Sequence, residues 1–156
     1  MSKDRSEKEG VSILKLKMIR EGTVEYASAG EPITSPSKVA ALIGKYLEDE
    51  ASECLVVVML DTKNHPIGIH EVSRGGLNFA AAHPREVFRA ALVAGAASII
   101  LGHNHPTGNV TPSANDKTLT IELKKAGELL GVSVLDHVIV GLGTDKYTSL
   151  KEQDVI

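Results

Sequence analysis

Residues 102–116 read GHNHPTGNVTPSAND and hold most of the chain's candidate chemistry. His103 and His105 are two apart and follow an apolar run. In an extended chain, side chains at i and i+2 point to the same face, so two imidazoles can meet one metal from one strand end. Asp116 lies eleven residues beyond His105, at the expected first turn of a helix. A carboxylate there is also favoured by the helix dipole. Pro106, Gly108 and Pro112 let the intervening loop fold back. Two His and one carboxylate leave a fourth tetrahedral position open, which is the catalytic kind of zinc site. The competing structural reading is that both His residues cap the strand and bond backbone carbonyls. Ser113 reads either as a helix N-cap with Asp116 as its capping-box partner or as a hydroxyl donor to a developing oxyanion. These two readings are compatible.

The elements that must position these groups follow from periodicity. Val11–Ser28 alternates in places, with Ile13, Lys15, Lys17 and Ile19 against Leu14, Leu16 and Met18, and predicts a strand or hairpin. Gly30–Ser37 reads as a linker. Ser35 and Pro36 open a helix that runs to about Glu50 on Val39, Leu42, Ile43, Tyr46 and Leu47. Cys54–Leu60 is a continuous apolar run, the pattern of a strand buried on both faces. A turn at 61–64 and a strand at Pro66–Ser73 complete a hairpin, broken by Gly75-Gly76. Pro84–Ala94 predicts a second helix closed by Gly95. A short strand spans Ala97–Gly102, and a polar loop covers 103–112. A third helix starts near Thr111–Ser113, carries Leu119, Leu123, Ala126 and Leu130, and ends at Gly131. Val132–Val140 and Tyr147–Leu150 read as further strands. Alternating elements flanked by hairpins predict an α/β domain with a mixed sheet covered by helices. Residues 1–34 form a tail with a strand or hairpin segment, and 35–156 form the domain.

Composition narrows the function classes. The chain has 156 residues, 17 Lys+Arg against 20 Asp+Glu, and a formal net charge of −3. Its pI of about 6.1 argues against nucleic-acid binding through bulk charge. Cys54 is the single cysteine, which excludes an intramolecular disulfide and a Cys-rich metal site. The charged start MSKDRSEKEG lacks the apolar core of a secretory signal. The longest nearly apolar stretch, Ala90–Gly102, has thirteen residues, short of the roughly 20 of a membrane span. A cytoplasmic location is expected.

The order His103-x-His105, seven residues, Ser113, two residues, Asp116 matches the signature of the JAMM/MPN metalloproteases, H-x-H-x7-S-x2-D. HNHPTG, TPS, LDHVIVG, HPREVF at 83–88 and LLG-V-x-VLDH at 129–137 resemble the RadC branch of that superfamily, over roughly Pro36 to Leu150. The resemblance implies a JAMM/MPN, cytidine-deaminase-like fold and Zn2+ bound by His103, His105 and Asp116. It also implies a Glu after the first helix as general base, and amide or isopeptide hydrolysis in a peptide or protein substrate. Glu53 matches that Glu by position, and Glu71, near the end of the second strand, is its rival. An exposed strand beside the site would seat an extended peptide. Two departures bear on the substrate. Asn104 stands where JAMM deubiquitinases usually carry Ser or Thr, and the loops are too short for ubiquitin-gripping insertions, so deubiquitination is not implied. Longer RadC proteins carry an N-terminal helix-hairpin-helix region. Nothing before Ser35 looks like one, which predicts the short, standalone form. The family's name comes from DNA repair, so a metal-dependent nucleic-acid-processing role is the alternative function. The acidic balance and scarce aromatics (Phe79, Phe88 and three tyrosines) oppose it. An inactive MPN scaffold is the third reading, and a homodimer is the default assembly.

Other residues are weighed against structural roles. Asp136-His137 reads as support for a ligand His or as a satisfied core pair. His83 reads as helix N-terminal structure, His65 and His70 as surface or hairpin residues, and Cys54 as inert core. Arg74 and Asn78 are candidates for a substrate groove.

Overall fold

A computed structural model describes residues 9–75 and 82–156. Its elements run α1 (Pro36–Tyr46), β1 (Cys54–Leu60), β2 (Pro66–Arg74), α2 (Pro84–Ala94), β3 (Ser98–His105), α3 (Ala114–Leu130), β4 (Ser133–Gly141) and β5 (Tyr147–Ser149). The five strands form one sheet in the order β2-β1-β3-β4-β5. β1 pairs antiparallel with both β2 and β3, β4 pairs antiparallel with β5, and β3 and β4 are parallel. The parallel step needs a crossover, which α3 supplies. The expected mixed α/β sheet with helices is therefore present.

The alternating side chains of β1 separate the two cores. Leu55, Val57 and Met59 pack with Val87 and Phe88 of α2 and Leu119 and Leu123 of α3. Cys54, Val56, Val58 and Leu60 pack with Val39, Leu42 and Ile43 of α1. All seven β1 residues are buried, as expected for a strand covered on both faces. Each face is sealed by a close approach at a glycine. A Cβ on Gly102 of β3 would lie 2.5 Å from Ile43 Cδ1, so α1 rests directly on the strand just before His103. A Cβ on Gly127 would lie 2.4 Å from the Val132 carbonyl oxygen. That obstacle is backbone and cannot rotate away. Gly127→Ala is expected to cost about 1–2 kcal/mol net, because overpacking against backbone exceeds the roughly 1 kcal/mol of helix propensity gained. A denaturant titration checks this, and a change below about 0.5 kcal/mol would show that the α3–β4 turn yields freely.

The sequence expectations need three corrections. α1 ends at Tyr46 rather than near Glu50, and 47–49 form a turn. β3 continues through His105, so both histidines stand on the strand rather than in a loop. The strand or hairpin expected over Val11–Ser28 is absent: residues 9–26 have no regular structure. Alternation alone does not make a strand; a partner does. The sheet's edge strands, β2 and β5, are each paired on one side only, and neither pairs with this segment. Val11, Ile13, Leu14, Leu16 and Ile19 stay at least 81% exposed.

Candidate metal centre

The site lies at the end of the sheet where β1 begins and β3 ends. His103 Nε2 and His105 Nε2 are 3.0 Å apart. Asp116 presents Oδ1 3.6 Å from His103 Nε2 and Oδ2 3.6 Å from His105 Nε2. Glu53, the residue before β1, brings Oε1 to 3.6 Å from His103 Nε2 and 3.9 Å from His105 Nε2. One ligand atom from each of the four residues lies within 4.8 Å of the others.

Local structure fixes each group. Asp116 sits at the third position of α3 and closes a capping box. Ser113 N–H donates to Asp116 Oδ2 at 2.8 Å, and Asp116 N–H donates to Ser113 Oγ at 3.0 Å. Burial pushes the Asp116 carboxyl up, but the hydrogen bond and charge of His103, with Ser113, outweigh it and hold it well below the usual carboxylate range.

The tautomers follow from a relay of hydrogen bonds. Thr120 Oγ1 donates its single proton to the Asp116 carbonyl at 2.6 Å. The 2.6 Å contact of Thr120 Oγ1 with His137 Nδ1 must then have Nδ1–H as donor. Burial, with the neighbouring His103, drives the His137 pKa well down and keeps this ring neutral. Its Nε2 is therefore an acceptor, 2.6 Å from His103 Nδ1, which donates. His105 Nδ1 likewise donates to the Asn109 carbonyl at 2.6 Å. Both histidines thus turn Nε2 toward each other across 3.0 Å, with their Nδ1 atoms engaged elsewhere, an arrangement suited to sharing one cation. Two nitrogens at tetrahedral zinc, each about 2.0–2.1 Å from the ion, lie about 3.3 Å apart. The donor set fits such an ion.

A model of the RadC-like JAB domain matches residues 33–155. The chain belongs to the RadC-like JAB domain family. UPF0758 proteins of Clostridium perfringens and Staphylococcus haemolyticus are similar to it. The first is 45% identical over 124 residues, covering 80% of this chain and 54% of the relative. The second is 48% identical over 121 residues, covering 78% and 52%. A UPF0758 protein of Clostridium botulinum is 40% identical over 134 residues, 86% of this chain and 58% of the relative. The chain thus spans about half the length of the relatives it matches. Among the described residues, no helix is long and apolar enough to cross a membrane.

Within this RadC-like domain, Asn104 takes a role that spacing did not reveal. It points away from the metal side of β3 and is fully buried. Its Oδ1 accepts Cys54 N–H at 2.7 Å, and its Nδ2 donates to the Ser52 carbonyl at 3.0 Å. Gly75 N–H donates to the Glu53 carbonyl at 2.8 Å. The backbone on both sides of Glu53 is thereby tied to the strand that carries the histidines. Glu71, the rival to Glu53, is bound by Arg74: Nε reaches Oε1 at 2.9 Å and Nη2 reaches Oε2 at 3.0 Å. Arg74 also grips Glu50, whose carboxyl this hydrogen bond holds below its ordinary range. Arg74 therefore braces the segment between α1 and β1 against β2, and Glu71 is not part of the four-residue group.

The remaining candidates separate cleanly. Of the Asp136-His137 pair, only His137 bonds a candidate ligand, His103, through its side chain. Asp136 accepts Ser149 Oγ–H at 2.6 Å and Lys151 N–H at 3.1 Å, which fastens β5 and the turn after it. His83 caps α2, accepting Arg85 N–H at 3.2 Å on Nδ1. His70 is exposed on β2, and His65 sits in the β1–β2 turn beside Asp61. Cys54 is buried, and burial pushes its thiol pKa up, the opposite of a reactive cysteine. Asn78 and Phe79 lie outside the described residues. Thr120 and the Asn109 carbonyl were not anticipated. The available signal for Thr120 was its place four residues after Asp116, on the same face of α3.

Proposed function

We propose that this domain is a zinc-dependent hydrolase of amide or isopeptide bonds in peptide or protein substrates. The observation that carries the reading is the pair of imidazole Nε2 atoms 3.0 Å apart, faced by two carboxylates. His103, His105 and Asp116 would hold the ion. When bound there, zinc supplies Lewis-acid polarisation of a carbonyl and brings the pKa of a water to about 7. Glu53 Oε1 takes the proton of the attacking water and later hands it to the leaving amine. The Ser113 hydroxyl, at the N-terminus of α3, steadies the oxyanion. β2 is an edge strand ending beside Cys54. Its outer edge would hold an extended substrate by strand addition, with pockets reading alternate side chains. We place the reaction in the cytoplasm, where the lone Cys54 thiol stays reduced.

The test is the metal content of protein purified without added metal, beside His105→Ala. About one zinc per chain, lost in the variant, is expected. A peptidase screen then uses Glu53→Gln as the inactive control, with a loss of at least about 100-fold expected. A native chain that takes up no zinc even when zinc is supplied sinks the reading.

A further inference from the structure

The parallel strands β3 and β4 end with His105 opposite Gly141. Beyond that point the chains part, one toward α3 and the other through a turn into β5. The crevice outside the carboxyl ends of parallel strands is a recurrent ligand position, because departing loops leave space there. Here it is a cleft of about 440 Å³, with Thr107, Asn109, Thr144 and Lys146 among its lining residues. The loop and the turn that form it meet closely. A Cβ on Gly141 would lie 2.6 Å from the Gly108 carbonyl oxygen and 3.0 Å from Val110 Cγ1. The cleft adjoins the metal centre through Asn109, which lines it and whose carbonyl holds His105 Nδ1.

The side-chain acceptors of the cleft are engaged locally. Thr107 Oγ1 accepts Asn109 N–H at 3.4 Å, Asn109 Oδ1 accepts Thr111 N–H at 2.9 Å, and Thr144 Oγ1 accepts Lys146 N–H at 3.1 Å. Thr144 gives its one hydroxyl proton to the Gly141 carbonyl at 2.8 Å. Three donors have no partner among the described residues: the Thr107 hydroxyl proton, Asn109 Nδ2 and the Lys146 ammonium. Lys146 is the single charged group in the lining. Free donors around one positive charge select an anionic acceptor.

We propose that this cleft is a subsite for a carboxylate of the substrate, held by Lys146, Asn109 Nδ2 and the Thr107 hydroxyl. The assignment rests on the hydrolase reading and names its substrate class, peptides that are acidic close to the bond cleaved. In the strand order β2-β1-β3-β4-β5 the metal centre lies at β1 and β3, so a substrate held at β2 spans it to reach the cleft. Neighbouring strands are about 4.8 Å apart and an extended residue covers about 3.3 Å, which sets the acidic group within about three residues of the scissile bond. A phosphodiester chain is the poorer match, because it draws on several cations and the cleft offers one, in a chain of net charge −3.

Amide NMR shifts of the full chain, titrated with short peptides, test this. Acetyl-Ala-Glu-Ala-amide carries a side-chain carboxylate, acetyl-Ala-Gln-Ala a terminal one, and acetyl-Ala-Gln-Ala-amide none. An acidic peptide is expected to move the Gly108, Asn109 and Lys146 amides saturably, and the tighter of the two acids names the source of the carboxylate. The neutral peptide should bind at least about threefold more weakly. Lys146→Ala should lose a similar factor with an unchanged melting curve, and Lys146→Arg should restore it. Zinc-supplied and chelator-treated chains should respond alike, because none of the three donors is a candidate metal ligand. Shifts that need zinc would put the carboxylate on the metal and overturn the proposal. So would equal binding of the neutral peptide, undiminished binding by Lys146→Ala, or a preference for inorganic phosphate or a short oligothymidylate over both acids. The titration needs no turnover, so the two readings fail separately. Acid-selective shifts in a chain that takes up no zinc sink the hydrolase and leave the carboxylate site standing. Peptide cleavage without acid preference sinks the subsite alone.

Discussion

Asn104→Ala is expected to destabilise the fold by about 2–4 kcal/mol and to release Glu53 without disturbing the metal ligands. The cost arises because truncation leaves two buried backbone groups, Cys54 N–H and the Ser52 carbonyl, without a partner. Each unsatisfied group costs about 1–3 kcal/mol. The histidines on either side of Asn104 are held by other means, His103 by His137 and His105 by the Asn109 carbonyl. Zinc uptake should therefore persist while hydrolysis falls. The local readout is hydrogen exchange at the Cys54 amide, slow in the native chain and fast in the variant. Asn104→Asp separates the two bonds: it keeps the acceptor for Cys54 N–H but turns an acidic oxygen toward the Ser52 carbonyl. Its Cys54 amide should stay slow while its stability drops. An alanine variant as stable as the native chain, with Cys54 still protected, would remove Asn104 from this role.

The clustering of the candidate ligands was legible because it is local. His103, His105, Ser113 and Asp116 lie within one strand–loop–helix unit, and the period of two, a capping signal and a buried run suffice to bring them together. Glu53 was reached through the resemblance, and its preference over Glu71 agrees with the grouping. What selects it physically is the β1–β3 pairing, which sets Leu55 opposite His103. The support layer was not legible, because it depends on register between distant strands. His137 reaches His103 only because β3 and β4 run parallel with Leu101 opposite His137. Thr120 joins that relay through the crossover helix. The strand expected over Val11–Ser28 fails for the complementary reason: local alternation resembles a strand, but the partner that would satisfy its backbone is not in the sheet.

The same relay predicts an acid-sensitive metal-free protein. His137 is fully buried, and its pKa is driven well below the ordinary imidazole value, first by burial and then by His103. In the unfolded chain it titrates near 6.5. Above that value both states hold a neutral ring, and the contribution to stability is complete. As pH falls below about 6.5 the unfolded chain binds a proton that the folded chain refuses, so stability drops. The limiting slope is about 1.4 kcal/mol per pH unit. Asp116, whose carboxyl is depressed, adds its own loss only below the ordinary carboxylate value of about 4. Chelator-treated protein should therefore show a falling urea midpoint between pH 6.5 and 4.5, before carboxylates enter. His137→Gln supplies an acceptor for His103 Nδ1–H and a donor for Thr120 Oγ1 with no titrating group. It should flatten the decline in that window while keeping most of the stability at pH 7.5. An unchanged slope in the variant would mean that another group carries the acid sensitivity, and that the His137 ring accepts a proton in the folded state.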